Sequence, residues 1–244
     1  MHASWKTWLL ALSCASPAIA QAQVEMVESR LYYQAEPATG FAYRDDVGKA
    51  TKAMLAGDMA TAAPLLERAI KYCDAQRNQP GRKSVSFSSR REYEQYMEGP
   101  GKGQPTEWLD IACASAYQQA GYALAGARRP AEALTYLEIA TQVGPYYPVA
   151  WTEKGFVLNQ LGQPAQALEA YTTALEVARA HPEAAYVSAV AWRGIGYSKV
   201  ELKDLEGGRE AYQQSLQLEP GNATAVRELD YIAQRQATGN PPAP

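Results

Sequence analysis

The chain has 244 residues, of which 47% are hydrophobic and 20% charged, and its formal net charge is −3. The hydrophobic content excludes a chain that is disordered throughout, and the near balance of charge excludes a nucleic-acid-binding protein with a strongly basic face. Only two histidines and three cysteines are present, so the composition offers little material for a catalytic or metal site, and we predict no metal and no cofactor.

The N-terminus has the features of a cleavable signal peptide. Lys6 supplies a basic start, residues 8–15 are apolar, and residues 18–20 form a small-x-small pattern. The apolar stretch is much shorter than the roughly 20 residues of a membrane-spanning helix. We therefore predict a signal peptide over residues 1–20, cleavage near Ala20 or Ala22, and a periplasmic or secreted protein with no transmembrane segment.

Two alternatives remain for this segment. It can act as an uncleaved anchor, or Cys14 can become the lipidated N-terminus of a lipoprotein, although the expected leucine three positions upstream is replaced by Ala11. After cleavage, residues 21–42 are predicted to be poorly ordered.

A repeated pattern occupies residues 114–227. An aromatic residue opens three units at Tyr117, Trp151 and Trp192, with spacings of 34 and 41 residues. In each unit a glycine follows four residues later. These glycines and the later small, aromatic and proline positions are Gly121, Gly155, Gly196, Ala133, Ala167, Tyr171, Tyr212, Pro145 and Pro220.

This pattern resembles the tetratricopeptide repeat, in which W-x2-L-G-x2-Y is followed by small and aromatic positions and a closing proline. The resemblance implies an all-α fold, a right-handed solenoid of about four helix pairs with a concave groove. A degenerate first copy, with Pro64 inside its second helix, fits upstream of the three clear copies. The four copies and the final capping helix are predicted at residues 43–76, 108–147, 148–182, 183–221 and 222–236.

Three further segments depart from the repeat. Residues 77–107 are predicted to be an insertion loop with a short helix over residues 90–97 and a Gly/Pro-rich end. Seven extra residues around His181 are expected to lengthen the preceding and following helices by about one turn each. The tail over residues 237–244 is predicted to be disordered. In the capping helix, the residues expected to point inward are Val226, Leu229 and Ile232.

Motifs for an enzyme are missing from the sequence. There is no G-x-S-x-G elbow, no H-E-x-x-H helix and no phosphate-binding loop. We interpret His181 as an ordinary surface histidine, and Glu92, Glu94 and Glu98 as a solvated helical face. A pocket that combined His181 with two carboxylates would favour the alternative, a hydrolytic enzyme, and we expect no such pocket.

Two cysteines remain after the predicted cleavage, Cys73 and Cys113. Exported chains commonly pair their cysteines. The resemblance places Cys73 near the end of the first repeat unit and Cys113 at the start of the second, so the two residues are neighbours if residues 77–107 project from the repeats. We predict a structural disulfide at the base of the insertion, and two buried free thiols are the alternative.

The predicted concave surface carries aromatic residues at one repeat position. Helix position 9 lies about 150° from the core-facing arc and holds Tyr122, Phe156 and Tyr197. Such a series of rings suits an extended peptide or a sugar chain, although the rings can instead pack between adjacent first helices. The polar residues assigned to the same groove are Gln118, Thr152, Arg193 and Asn159.

We therefore predict a non-enzymatic exported scaffold that binds a partner polypeptide in its groove, in envelope assembly or secretion. Glycan or peptidoglycan binding through the same rings is the alternative. The basic and asparagine clamp with which some members of the resembled family bind C-terminal carboxylates is absent, because Tyr or Phe stands at position 9 in place of Asn. The sequence leaves the oligomeric state open.

Overall fold

The structure is a computed structural model that describes residues 37–238. The predicted signal peptide lies outside the described residues, as do residues 21–36 of the segment predicted to be poorly ordered and residues 239–244 of the tail. The described range contains two β-strands, β1 (Lys83–Phe87) and β2 (Thr106–Asp110), and a 3₁₀ helix at Pro182–Val187. Its ten α-helices are α1 (Pro37–Leu55), α2 (Met59–Arg77), α3 (Arg90–Glu98), α4 (Ile111–Gly126), α5 (Pro130–Val143), α6 (Pro148–Gln160), α7 (Pro164–Ala180), α8 (Ser188–Glu201), α9 (Leu205–Leu218) and α10 (Ala223–Thr238).

Four helical hairpins form the body of the protein. They are α1–α2, α4–α5, α6–α7 and α8–α9, and α10 packs against α9 at the end of the array. Each hairpin also contacts the next one along the chain. The predicted all-α solenoid of four helix pairs with a capping helix is therefore confirmed. Within residues 37–238, no helix combines the length and the apolar character needed to cross a membrane.

The turn inside each hairpin has the same backbone conformation. The residue directly before the N-cap of the second helix has a φ between 60° and 75° in all four turns. Two turns have glycine at this left-handed position, which costs glycine little, and the others have arginine and lysine. The four residues are Gly57, Arg128, Gly162 and Lys203. The second helices of the middle hairpins then begin at a proline, where the missing N–H has no helical partner to lose.

Glycines allow the helices of neighbouring pairs to approach closely. The buried ring of Tyr171 in α7 lies against both Gly155 in α6 and Gly194 in α8. A Cβ added at Gly155 would lie 2.7 Å from this ring, and one added at Gly194 only 2.2 Å. Leu137 contacts Gly121 in the same way in the preceding hairpin. This is the small-to-large packing that the repeat pattern predicted.

Residues 77–107 are not a loop. β1 and β2 pair in parallel, with Lys83 opposite Thr106 and Phe87 opposite Asp110, and α3 connects them. The Trp108 indole N–H donates a 3.0 Å hydrogen bond to the Phe87 carbonyl. Phe87 and Trp108 pack with Tyr96 of α3 in a small core of their own. The helix and the Gly/Pro-rich turns that follow it were correctly predicted, but the two strands were not.

A disulfide joins Cys73 to Cys113, with an S–S distance of 2.03 Å and a Cα–Cα distance of 5.6 Å. Cys73 lies near the end of α2, and Cys113 is the third residue of α4. Both cysteines are fully buried in the cluster between the first two hairpins. The bridge closes the base of the inserted β1–α3–β2 segment.

Three smaller expectations need correction. The chain is already helical from Pro37, within the segment predicted to be poorly ordered. The extra residues around His181 were expected to lengthen both α7 and α8. They lengthen α7 as expected, but those before α8 form a separate 3₁₀ helix. In α10, Val226 is exposed and Ala225 is buried in its place beside Ile232, because residues 225, 229 and 232 share the face toward α9.

Candidate functional site

The three predicted groove aromatics are exposed. The solvent-exposed fractions are 53% for Tyr122, 49% for Phe156 and 42% for Tyr197. They lie on α4, α6 and α8, the first helices of three consecutive hairpins. Large aromatic side chains are normally buried, so three exposed rings at equivalent positions mark a surface suited to binding.

Two of these rings line one cleft of about 460 Å³. The cleft is lined mainly by α6, α8 and α10, and Phe156, Tyr197 and the exposed Val190 supply apolar surface to it. Tyr122 is not among the residues that line this cleft. The structure therefore brings Phe156 and Tyr197 together but leaves Tyr122 outside. We call this space the α6–α8–α10 cleft.

The polar residues assigned to the groove fall into two groups. Gln118 and Thr152 are only 7% and 6% exposed, so their assignment to a ligand-binding surface was wrong. The Thr152 hydroxyl donates to the Val149 carbonyl of its own helix at 2.9 Å. These positions are buried because first helices of adjacent hairpins, α4 with α6 and α6 with α8, pack against one another.

Arg193 and Asn159 do line the α6–α8–α10 cleft, but both have partners. The Arg193 guanidinium lies 2.5 Å from the Glu219 carboxylate and donates to the Ser215 hydroxyl at 3.1 Å. The Asn159 amide donates to the Ser198 hydroxyl at 3.1 Å. Arg193 is therefore a neutralised cation, and it offers little unpaired positive charge to an acidic ligand.

One carboxylate, Glu228, lines the cleft, and Glu201 lies close enough to act on the Tyr197 phenol. Burial raises the pKa of the Tyr197 phenol, and the negative charges of Glu201 and Glu228 raise it further. Glu228 lines the cleft, and burial, with a smaller contribution from Glu201, raises the pKa of its carboxyl although Arg227 opposes the shift. An apolar cleft with carboxylates at its rim favours a ligand that combines an apolar group with a positive charge.

His181 is not a surface residue. Its side chain is completely buried after the end of α7, and neither ring nitrogen has a hydrogen-bond partner among the described residues. One ring nitrogen of His181, one carboxylate oxygen of Glu92 and one of Glu183 all lie within 4.8 Å of one another. This grouping of His181 with two carboxylates was not anticipated from the sequence. Glu92 lies on the insertion helix α3, and the neighbouring Arg91 donates a hydrogen bond to the carbonyl of Ala180, directly before His181.

The comparisons with known proteins agree with the hairpin architecture. Residues 148–181, which form α6 and α7, match the sequence family described as the tetratricopeptide repeat. The solved structure of MamA from Desulfovibrio magneticus RS-1, from residue 41 to its end, superposes with a TM-score of 0.54. The match covers 82% of this chain and 86% of that chain at 19% identity. The fold is a tetratricopeptide-repeat solenoid.

Other solved tetratricopeptide-repeat structures are similar over different lengths. MamA AMB-1 matches with a TM-score of 0.52 and 16% identity, over 82% of this chain and 90% of that chain. The first tetratricopeptide-repeat domain of Spaghetti (RPAP3), bound to the HSP90 peptide SRMEEVD, is 25% identical with a TM-score of 0.48. That match covers 53% of this chain and 97% of that chain. No curated protein matches the sequence significantly.

In this tetratricopeptide-repeat solenoid, sequence reasoning missed Val190 and Glu228 as cleft residues. Glu228 belongs to α10, which lies outside the repeat frame, so no repeated position pointed to it. Val190 lies on the first turn of α8, next to the extra residues that break the phase of the repeat. The helix period of 3.6 residues places it on one face with Arg193 and Tyr197, and this signal was available.

Proposed function

We propose that the protein is a non-enzymatic scaffold that binds an extended segment of a partner polypeptide in the α6–α8–α10 cleft. The observation that carries the proposal is the pair of exposed rings, Phe156 and Tyr197, that line one cleft of about 460 Å³. This volume is in the range of sites that accept a few side chains. Aromatic residues with both apolar and polar parts are common anchors of protein interfaces.

The chemistry of the cleft favours a particular partner sequence. Phe156, Tyr197 and Val190 supply apolar contact, while Glu228 and Glu201 supply negative charge. Arg193 is already paired with Glu219. We therefore expect the bound segment to place an aliphatic or aromatic side chain in the cleft beside a lysine or arginine.

A displayed library of random peptides, selected on the full-length protein, tests this proposal. We expect the selected peptides to be enriched in a hydrophobic residue next to Lys or Arg. The double variant Phe156→Ala/Tyr197→Ala should bind them at least ten-fold more weakly, since removing each anchor of an interface typically costs more than 1 kcal/mol. Its helical circular dichroism should be unchanged, because both rings are exposed.

Leu55→Ala is the matched control, because Leu55 is 85% exposed at the end of α1, in the first hairpin, and does not line the cleft. It should bind the selected peptides as the unchanged protein does. Equal loss in the control and the double variant would contradict the proposal, and so would selected peptides that bind the double variant normally. Oligosaccharides that bind through Phe156 and Tyr197 when peptides do not would replace a peptide partner with a glycan.

We infer that the protein acts in the periplasm or outside the cell, in envelope assembly or secretion. The signal-peptide features before residue 21 and the pairing of Cys73 with Cys113 support this location, because structural disulfides persist in oxidising compartments. Cell fractionation with N-terminal sequencing tests the inference. A cytosolic protein that retains Met1 would contradict it.

A further inference from the structure

The strongest unexplained feature of the structure is the environment of His181. Its imidazole is fully buried, and neither ring nitrogen has a hydrogen-bond partner among residues 37–238. Buried polar groups are almost always paired, and a buried polar atom without a partner is costly. A ligand that gives the imidazole a partner would therefore stabilise the folded protein.

The atoms closest to this imidazole are suited to a cation. Nδ1 of His181 lies 3.7 Å from the Glu183 carboxylate, which is too long for a direct hydrogen bond. Glu92 is also buried. A ring nitrogen of His181 and one carboxylate oxygen each from Glu92 and Glu183 lie within 4.8 Å of one another. In a tetrahedral zinc site, ligand atoms are separated by about 3.4 Å. Glu183 is 56% exposed and can close this difference by a change of rotamer.

The position of Glu92 is fixed by the start of α3. Its two carboxylate oxygens accept hydrogen bonds from the Ser88 backbone N–H at 2.6 Å and from the Ser88 hydroxyl at 2.5 Å. Each oxygen keeps a second lone pair for another partner. Hydrogen bonds of this kind orient the carboxylates that bind metals in proteins. Glu92 is thus held in place before any ligand arrives.

The same region is closed by contacts between the insertion and the solenoid. The Arg91 guanidinium donates to the Ala180 carbonyl at 3.0 Å, which holds α3 against the end of α7. The Tyr146 ring lies 5.0 Å from the imidazole of His181 and covers one side of it. Of the three side chains in this cluster, Glu92 and His181 are buried and Glu183 is exposed, so a metal ion would enter beside Glu183.

We propose that Glu92, His181 and Glu183 bind one transition-metal dication of the Zn²⁺ type. An imidazole nitrogen with two carboxylates suits Zn²⁺, whereas Mg²⁺ and Ca²⁺ prefer sites made of oxygen ligands alone. The three protein ligands leave a further position for water on the side of Glu183. The ion would tie the insertion to the junction between the third and fourth hairpins.

Isothermal titration of the untagged full-length protein with ZnCl₂, after removal of metal with a chelator, tests the site. We expect one Zn²⁺ per chain and no displacement by a ten-fold excess of MgCl₂. Glu183→Gln should bind Zn²⁺ at least ten-fold more weakly. It should keep the melting temperature of the metal-free protein within a few degrees, because the side chain is exposed. Glu176 is an exposed glutamate of α7 that is not part of the cluster, so the control variant Glu176→Gln should bind Zn²⁺ normally.

Nuclear magnetic resonance of the imidazole protons gives a second readout. The chain contains only two histidines, so a His2→Ala variant assigns the signal of His181. We expect this signal to shift on addition of one equivalent of Zn²⁺. A titration without a one-to-one site, equal binding by Glu183→Gln, or an unshifted His181 signal would each overturn the proposal.

Discussion

Removal of the Cys73–Cys113 disulfide gives the most direct test of how the insertion is held. We consider the double variant Cys73→Ala/Cys113→Ala, which replaces two fully buried sulfurs with small apolar groups. The bridge spans 40 residues of sequence. In the chain-entropy model, a loop of this length restricts the unfolded chain by about 4 kcal/mol at 25 °C. The variant should lose about this free energy of unfolding.

Thermal unfolding followed by circular dichroism measures the effect. With an unfolding entropy of about 2.1 cal/mol/K per residue, a loss of about 4 kcal/mol over some 200 ordered residues lowers the melting temperature by about 10 °C. The unchanged protein in a strong reductant should melt near the double variant, and reductant should leave the variant unaffected. A melting temperature within about 2 °C of the unchanged protein would refute the reasoning.

Three further predictions concern single substitutions in the helices of the repeats. Burial raises the pKa of Glu153 to about 6, so its stabilising effect is complete below pH 4.5 and is lost, by about 2 kcal/mol, as the pH rises through 6. Glu153→Gln should therefore raise the melting temperature at pH 8 but not at pH 4, and an equal change at both would contradict this. Gly194→Ala should destabilise by about 1–3 kcal/mol in denaturant unfolding, since its Cβ would lie 2.2 Å from the Tyr171 ring. Gly48→Ala, on α1 with open space around it, should instead stabilise by about 0.5–1 kcal/mol, and the same sign for both substitutions would disprove the packing argument.

The repeated part of the fold was predictable because its packing is local in sequence. A glycine four residues after the opening aromatic residue indicates where a large side chain from the second helix will lie, as Leu137 does on Gly121. The exposure of Phe156 and Tyr197 followed from the same frame, since their position points away from the core. The assignment of Gln118 and Thr152 to the groove was wrong, because both residues are buried where the first helices of adjacent hairpins pack together.

The insertion was not predictable from the sequence. Its two strands are only five residues each and pair in parallel across an intervening helix, so no local pattern of alternating residues or turn reveals the pairing. The burial of His181 had the same cause. Glu92 of α3 and the ring of Tyr146 lie near His181 but are distant from it in sequence, and a histidine before a proline gives no indication of either neighbour.

The contact between Arg91 and Ala180 changes how the array as a whole responds to disturbance. In a simple helical array each unit touches only its neighbours, so strain or fraying passes along one step at a time. Here a folded segment rooted between α2 and α4 packs on both helices of the second hairpin and also reaches the end of α7 in the third. Unfolding of the end of α7 would therefore also weaken the contacts of the inserted segment, whose base is closed by the Cys73–Cys113 disulfide. The inserted segment thus restrains the curvature of the array at two points, the disulfide and the Arg91–Ala180 hydrogen bond.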